Sequence, residues 1–93
     1  MNIKELQDQA IEVANLYRKK NKEDGHNHWT VEQYMSGMIG DIGDLQKLIM
    51  AKQGYRHKED IDQALEHELG DVLWSLLVIS KELNINLETA FLK

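Results

Sequence analysis

The chain has 93 residues, of which 42% are hydrophobic and 29% charged, and its formal net charge is −5. A chain of this size has room for one hydrophobic core, so we expect a single domain over residues 1–93. The acidic balance argues against a nucleic-acid polymer as partner, because such binding needs a basic surface. The sequence has no cysteine, no apolar signal core and no apolar run of membrane-spanning length, which predicts a cytoplasmic protein that does not enter membranes.

Apolar residues recur every three or four positions through most of the chain, and proline is absent. This spacing predicts amphipathic helices. The first helix should run from residue 3 to about 21, with Asn2 and Glu5 as a capping box at its start. The polar segment at 21–29 contains turn residues and no apolar period, which predicts a loop.

The second helix is expected to begin after Thr30, which with Gln33 has the spacing of another capping box. Its apolar period continues to about Lys52, and Gly54 is the expected stop. A long helix is therefore predicted in the middle of the chain.

The third helix is expected to begin after Asp60, because Asp60 and Gln63 resemble a third capping box. Asn84 is suited to end that helix. Asn86 then caps a short fourth helix at 87–93. Four helices with short connections predict an all-α, antiparallel four-helix bundle-like fold.

The third helix is also apolar at Leu73, Leu77 and Val78, outside its main apolar stripe. A helix that is apolar on several sides expects more than one neighbour, which favours a homodimer or homotetramer. The alternative is a helix that is well buried in its own subunit.

Two acidic pairs interrupt the helical patterns. Glu68 falls in the middle of the apolar arc of the third helix, with Asp71 one turn further on, and Asp41 and Asp44 form the same pair on the second helix. Four carboxylates on facing helices repel one another unless a divalent cation lies among them, and hard oxygen ligands suit Mg²⁺, with Mn²⁺ as a substitute. The alternative is that these residues only solvate the helix surfaces.

The segments GDIGDLQKL at 40–48 and ELGDVLWSLL at 68–77 resemble the MazG-like all-α nucleoside triphosphate pyrophosphohydrolases, including the dCTP pyrophosphatase branch. The resemblance extends over roughly 29–93. It implies the MazG fold, a magnesium site made by an E-x-x-E and an E-x-x-D pair, and cleavage of a nucleoside triphosphate between its α and β phosphates. Asp41 and Asp44 stand where that family has glutamates.

The resemblance implies a role for each of the four carboxylates. Asp41, Glu68 and Asp71 are the expected metal ligands, and Asp44 is either a ligand or the residue that orients the attacking water. Asp44 and Glu68 are the candidate catalytic residues, since one carboxylate of the cluster must position or deprotonate that water.

Each aspartate is one methylene shorter than the glutamate it replaces, and Mg²⁺ tolerates little error in ligand distance. We hypothesise that Gly40, Gly43 and Gly70, which carry no Cβ, let the two helices approach and so restore the reach.

Substrate contacts are expected from residues near these pairs. Lys47 lies one turn beyond Asp44 and is the candidate cation for phosphate. Lys93 and Arg18 are further candidates if an oligomer brings them near. The resemblance implies that Trp29 encloses the base, and the alternative is a hydrophobic staple. His28 either reads the edge of the base or lies in an exposed polar loop. Trp74 either lines the nucleotide pocket or fills an interface.

The sequence therefore predicts a hydrolase that converts a nucleoside triphosphate, expected to be a deoxynucleotide, to the monophosphate and pyrophosphate. The alternative is a catalytically weakened module with the same helices, which binds a nucleotide, a metal or another protein.

Overall fold

A computed structural model describes residues 1–55 and 57–93 of the protein, and these residues confirm the all-α prediction. They form four helices and no strand. The bounds are α1 (Ile3–Glu23), α2 (Val31–Lys52), α3 (Ile61–Glu82) and α4 (Leu87–Leu92). No helix in the described ranges is both long and apolar enough to cross a membrane.

Side-chain caps begin α1, α2 and α4 at the predicted residues. The Glu5 N–H donates to Asn2 Oδ1 over 2.8 Å. At the start of α2 the Thr30 N–H donates to Gln33 Oε1 over 2.8 Å, and at α4 the Thr89 N–H donates to the Asn86 side chain over 3.0 Å. Each contact satisfies a backbone group that a helix end leaves without a partner.

The third predicted capping box, Asp60 with Gln63, is wrong. Asp60 adopts the left-handed conformation at φ 53° and ψ 40°, and its side chain makes no capping hydrogen bond. A capping side chain normally reaches the first turn from extended backbone, so this conformation directs it elsewhere. Instead, Lys52 at the end of α2 forms an ion pair with Asp62 in the first turn of α3, and both charges suit the helix dipoles.

Residues with positive φ end the three long helices. Gly54 at φ 88° and Asn84 at φ 58° are the predicted stops of α2 and α3, whereas α1 continues two residues past its predicted end to Glu23, before Gly25 at φ 78°. In α3 the Ile85 N–H donates back to the Ser80 carbonyl over 2.9 Å. This is the Schellman arrangement, which a left-handed residue permits.

The central helix is α3, which packs against both α2 and α1, while α1 also contacts α4. Val78 of α3 is fully buried and Leu77 is nearly so, whereas Leu73 remains 50% exposed. Burial within the subunit therefore explains two of the three off-stripe residues of this helix. The buried apolar core consists of Ala10, Ala14, Tyr34, Met38, Leu77, Val78 and Ile79.

A buried polar contact joins α1 to the end of α3. The Gln7 side chain is buried, and its Nε2 donates to Ser80 Oγ over 2.8 Å and to the Ile85 carbonyl over 2.9 Å. Replacing Gln7 with alanine is expected to lower the free energy of unfolding by about 1–3 kcal/mol, because it leaves buried polar atoms without partners. Urea unfolding measures this, with exposed Gln9→Ala as the control, and equal losses in the two variants would contradict the assignment.

Candidate metal centre

Carboxylates from α2 and α3 meet where these two helices pack together. One oxygen each from Asp41, Asp44 and Glu68 lies within 4.8 Å of the other two. Asp41 and Glu68 are half-buried and Asp44 is exposed. Ionised carboxylates this close repel one another unless a proton or a cation lies between them. An acceptor-only group of oxygens is the type of ligand set that hard divalent cations prefer.

Glu68 is the least compensated member of this cluster. Its Oε1 is buried and has no hydrogen-bond partner among residues 1–55 and 57–93. Burial raises the pKa of the Glu68 carboxyl, and the negative charge of Asp41 raises it further. Asp44 and Asp71 have smaller effects in the same direction. A buried acceptor without a partner needs an explanation, and a bound cation is one such explanation. The residues therefore fit a bound cation.

Asp71 lies beside this cluster but outside it. Its Oδ2 is 3.3 Å from His67 Nε2, and it is near enough to Glu68 to raise the pKa of that carboxyl. Residues four apart meet on one helix face, so the 67 and 71 positions predict this contact. The role of Asp71 as a metal ligand stays a prediction.

Two cavities that differ in chemistry adjoin the carboxylates, one lined by basic side chains and the other by aromatic ones. The basic cavity, of about 360 Å³, has Asp44 and Glu68 in its wall. The aromatic cavity, of about 550 Å³, has Asp41 and Asp71 in its wall. The acidic cluster thus lies between a cationic space and an aromatic one. Beside the carboxylates, the basic cavity is lined by Lys47, Leu48, Ala51, His57, Lys58, Ala64 and His67, and the aromatic cavity by Val13, Tyr17, Trp29, Gly37, Trp74 and Ser75.

A family model described as the MazG nucleotide pyrophosphohydrolase domain matches residues 29–93. That span includes α2, α3 and all four acidic residues. The chain belongs to the MazG family. Membership implies a nucleotide pyrophosphohydrolase, which is a hydrolase. No curated protein and no solved structure gives a significant match to the chain.

The basic cavity of this MazG chain contains more cations than the sequence pattern indicated. Lys47 lines it, one turn along α2 from Asp44. His57 and Lys58 line it as well, from the loop before α3. Loop residues have no helical period that would place them, so the sequence contained no signal for His57 and Lys58.

The aromatic cavity of the MazG chain has both predicted tryptophans in its wall. Trp29 lies edge-to-face with Tyr34 at 5.4 Å between ring centroids, and Tyr34 with Trp74 at 5.7 Å. The Trp74 Nε1 is buried, and no described residue accepts a hydrogen bond from it. Tyr17 of α1, which was not among the predicted site residues, is a further wall residue. His28 is exposed and lines neither cavity.

The three glycines do not act as hypothesised within the MazG chain. A Cβ added at Gly40, Gly43 or Gly70 would meet no described residue within 4 Å. These glycines therefore face open space and do not permit the approach of α2 to α3. The carboxylate oxygens of the two aspartates reach Glu68 without that help.

Gly37 is the glycine that does make room for a neighbour. A Cβ there would lie 3.2 Å from Trp29 Cζ3 and 3.5 Å from Cη2. Gly37→Ala is expected to displace the Trp29 ring while favouring the helix by about 1 kcal/mol. Trp29 emission, measured in a Trp74→Phe background, should shift, and Gly40→Ala, which has open space, should not shift it. Unchanged emission in Gly37→Ala would contradict this packing.

Proposed function

We propose that the protein is a magnesium-dependent pyrophosphohydrolase that converts a deoxynucleoside triphosphate to the monophosphate and pyrophosphate. The observation that carries the proposal is the carboxylate cluster between a basic and an aromatic cavity, in a chain that belongs to the MazG family. The two ends of a nucleoside triphosphate match these two cavities. The negative phosphates suit the basic cavity, and the base can stack in the aromatic cavity.

Each end of the substrate has matching side chains. Trp29 and Trp74 offer faces for a base, and stacking on aromatic side chains is tolerant of base identity. Lys47 and Lys58 in the basic cavity supply cations for the outer phosphates. His28 stays a predicted substrate residue that would need loop movement to reach the base. Because the resemblance includes the dCTP pyrophosphatase branch, dCTP is the first substrate to test.

Asp41, Asp44 and Glu68 would hold Mg²⁺, or Mn²⁺ in its place, with Asp71 as a fourth candidate ligand. Their grouping within 4.8 Å and the unpartnered Glu68 oxygen support this assignment. When bound, the ion would neutralise the triphosphate charge and polarise the bond to be broken.

Hydrolysis needs a residue that takes a proton from water. Asp44 and Glu68 are the candidates, because both line the basic cavity beside the space proposed for the metal. The water oxygen forms a bond to phosphorus, the bond between the α and β phosphates breaks, and pyrophosphate leaves with the electron pair. The remaining carboxylate orients the water.

The test is phosphorus NMR of the products from a panel of dNTPs with Mg²⁺ or Mn²⁺. Equal amounts of monophosphate and pyrophosphate, lost in EDTA and in Asp71→Ala, are expected. Formation of diphosphate and phosphate would contradict the proposed bond. Binding without turnover of any nucleotide would favour the alternative of a binding module, for which the shorter Asp41 and Asp44 are the physical reason.

We also propose that the protein acts as a homodimer or homotetramer in the cytoplasm. Ile39, Leu69 and Leu73 on α2 and α3 are each at least half exposed, and such apolar surface favours association. Light scattering after gel filtration is expected to give a multiple of 10.8 kDa, and Leu73→Glu is expected to lower it. A monomer at micromolar concentration would contradict this part of the proposal.

A further inference from the structure

We infer that Arg18 is a positioning residue that holds Trp29 in the wall of the aromatic cavity and thereby sets the affinity for the nucleoside part of the substrate. The inference rests on the proposed function. It differs from the earlier expectation that an oligomer brings Arg18 to phosphate, because within the described subunit the guanidinium is already engaged by Glu82 and by the Trp29 backbone.

Trp29 lies in a segment that has little support of its own. All residues from 22 to 30 are exposed, and Trp29 itself is 43% exposed. Its ring rests on the edge of Tyr34 and over Gly37. An exposed polar segment of this kind is easily displaced, so the contacts that fix Trp29 determine whether its ring stays in the cavity wall.

Arg18 connects this segment to the helices. Its Nε donates to the Trp29 carbonyl over 3.3 Å, and its NH1 donates to Asn15 Oδ1 over 3.1 Å. Its NH2 lies 2.5 Å from Glu82 Oε1 on α3. The side chains of Arg18 and Glu82 are 18% and 27% exposed. All three guanidinium nitrogens are therefore used to hold α1, the Trp29 backbone and α3 together.

The same guanidinium also lies against an aromatic wall. Its Cζ is 5.4 Å from the centroid of the Tyr34 ring, which is within cation–π range. Tyr34 contacts both Trp29 and Trp74. Arg18 thus fixes the backbone of Trp29 and the ring of Tyr34, which lies between Trp29 and Trp74. Glu82 in turn holds Arg18 in place. The spacing of the two tryptophans follows from this contact set.

Lysine cannot reproduce these contacts. A lysine ammonium is a single charged point, whereas the planar guanidinium donates in several fixed directions at once. Arg18→Lys is expected to keep an ion pair with Glu82 and to lose the bond to the Trp29 carbonyl. We expect about a tenfold weaker affinity for the nucleotide, the effect of one lost charged hydrogen bond.

The experiment compares the full chain, Arg18→Lys and Glu82→Gln with two ligands in Mg²⁺. One ligand is dCTP, or the dNTP that the panel favours, and the other is inorganic tripolyphosphate, which has no base. The KM for the nucleotide should rise about tenfold in Arg18→Lys with kcat unchanged. Tripolyphosphate affinity should stay constant. Unchanged KM, or an equal loss for both ligands, would overturn the inference.

Fluorine NMR of fluorotryptophan-labelled protein gives a readout that does not depend on turnover. The Trp29 resonance, assigned with Trp29→Phe, should move or broaden in Arg18→Lys, while the free energy of unfolding changes little. A Trp29 resonance that is unaffected overturns the inference alone. If the unaltered chain binds no nucleotide, the proposed function is overturned as well. The resonance and the nucleotide binding therefore tell failure of the inference from failure of the proposed function.

Discussion

Replacing Glu68 with glutamine is expected to lower turnover of the preferred nucleoside triphosphate by about 10²–10⁴-fold, the usual contribution of a positioned proton acceptor. Glutamine has nearly the same shape but cannot take a proton and is a weaker ligand for Mg²⁺. Steady-state assays of pyrophosphate release measure the effect at saturating metal and nucleotide.

Glu66→Gln is the matched control for this experiment. Glu66 is exposed on the same helix, two residues away, and its replacement should leave turnover unchanged. Parental activity in Glu68→Gln would remove Glu68 from the site. A loss that is equal in Glu66→Gln and Glu68→Gln would indicate a general effect of charge and contradict a specific role.

The same substitution is expected to stabilise the protein when metal is absent. The raised pKa of Glu68 means that the folded state holds this proton more tightly than the unfolded chain does. Its contribution to stability is therefore full below the ordinary value of 4.5 and is lost as the pH rises through the raised pKa. Above the raised pKa, the folded state bears a carboxylate whose buried Oε1 has no hydrogen-bond partner among the described residues.

Glu68→Gln removes the repulsion of this carboxylate by Asp41, Asp44 and Asp71, so in EDTA at neutral pH we expect a gain of up to about 1 kcal/mol in the free energy of unfolding, because solvent screens partly exposed charges. For a domain of this size a gain of about 1 kcal/mol corresponds to a rise in Tm of about 4–8 °C. The gain should vanish in acid, where the parent carboxyl is protonated in both states. Thermal unfolding in EDTA measures the gain in the variant. Thermal unfolding in Mg²⁺ should show the opposite order, because metal binding to the folded state should stabilise the parent far more than the variant. A lower Tm for the variant in EDTA would contradict this account of Glu68.

Helix positions were predictable where the signal is local. The apolar period and the caps at Asn2, Thr30 and Asn86 act within one turn, so the sequence alone places these starts. Asp60 is also a residue type that favours N-caps, and Gln63 follows it at the capping-box spacing. Its backbone is nevertheless left-handed, where Lys52 of α2 pairs with Asp62 of α3. A contact between two helices cannot be read from either helix alone.

The residues of the candidate site were likewise predictable only where the sequence signal is local. Glu68 stands out in the sequence because a carboxylate interrupts an apolar arc, and its buried oxygen agrees with that pattern. The contact of Asp71 with His67 competes with its predicted place in the cluster, and spacing cannot rank two partners. Arg18 could not be assigned from sequence, because Glu82 and Trp29 reach it from distant parts of the chain.

The position of the metal tests the central claim most directly. Crystals of the full chain soaked in Mn²⁺ should give an anomalous difference peak among the carboxylates of Asp41, Asp44 and Glu68, in the space between the basic and aromatic cavities. The peak should be absent in crystals of an Asp41→Asn, Asp44→Asn double variant. A peak elsewhere, or no peak from a protein that hydrolyses nucleotides in the same Mn²⁺, would contradict the account.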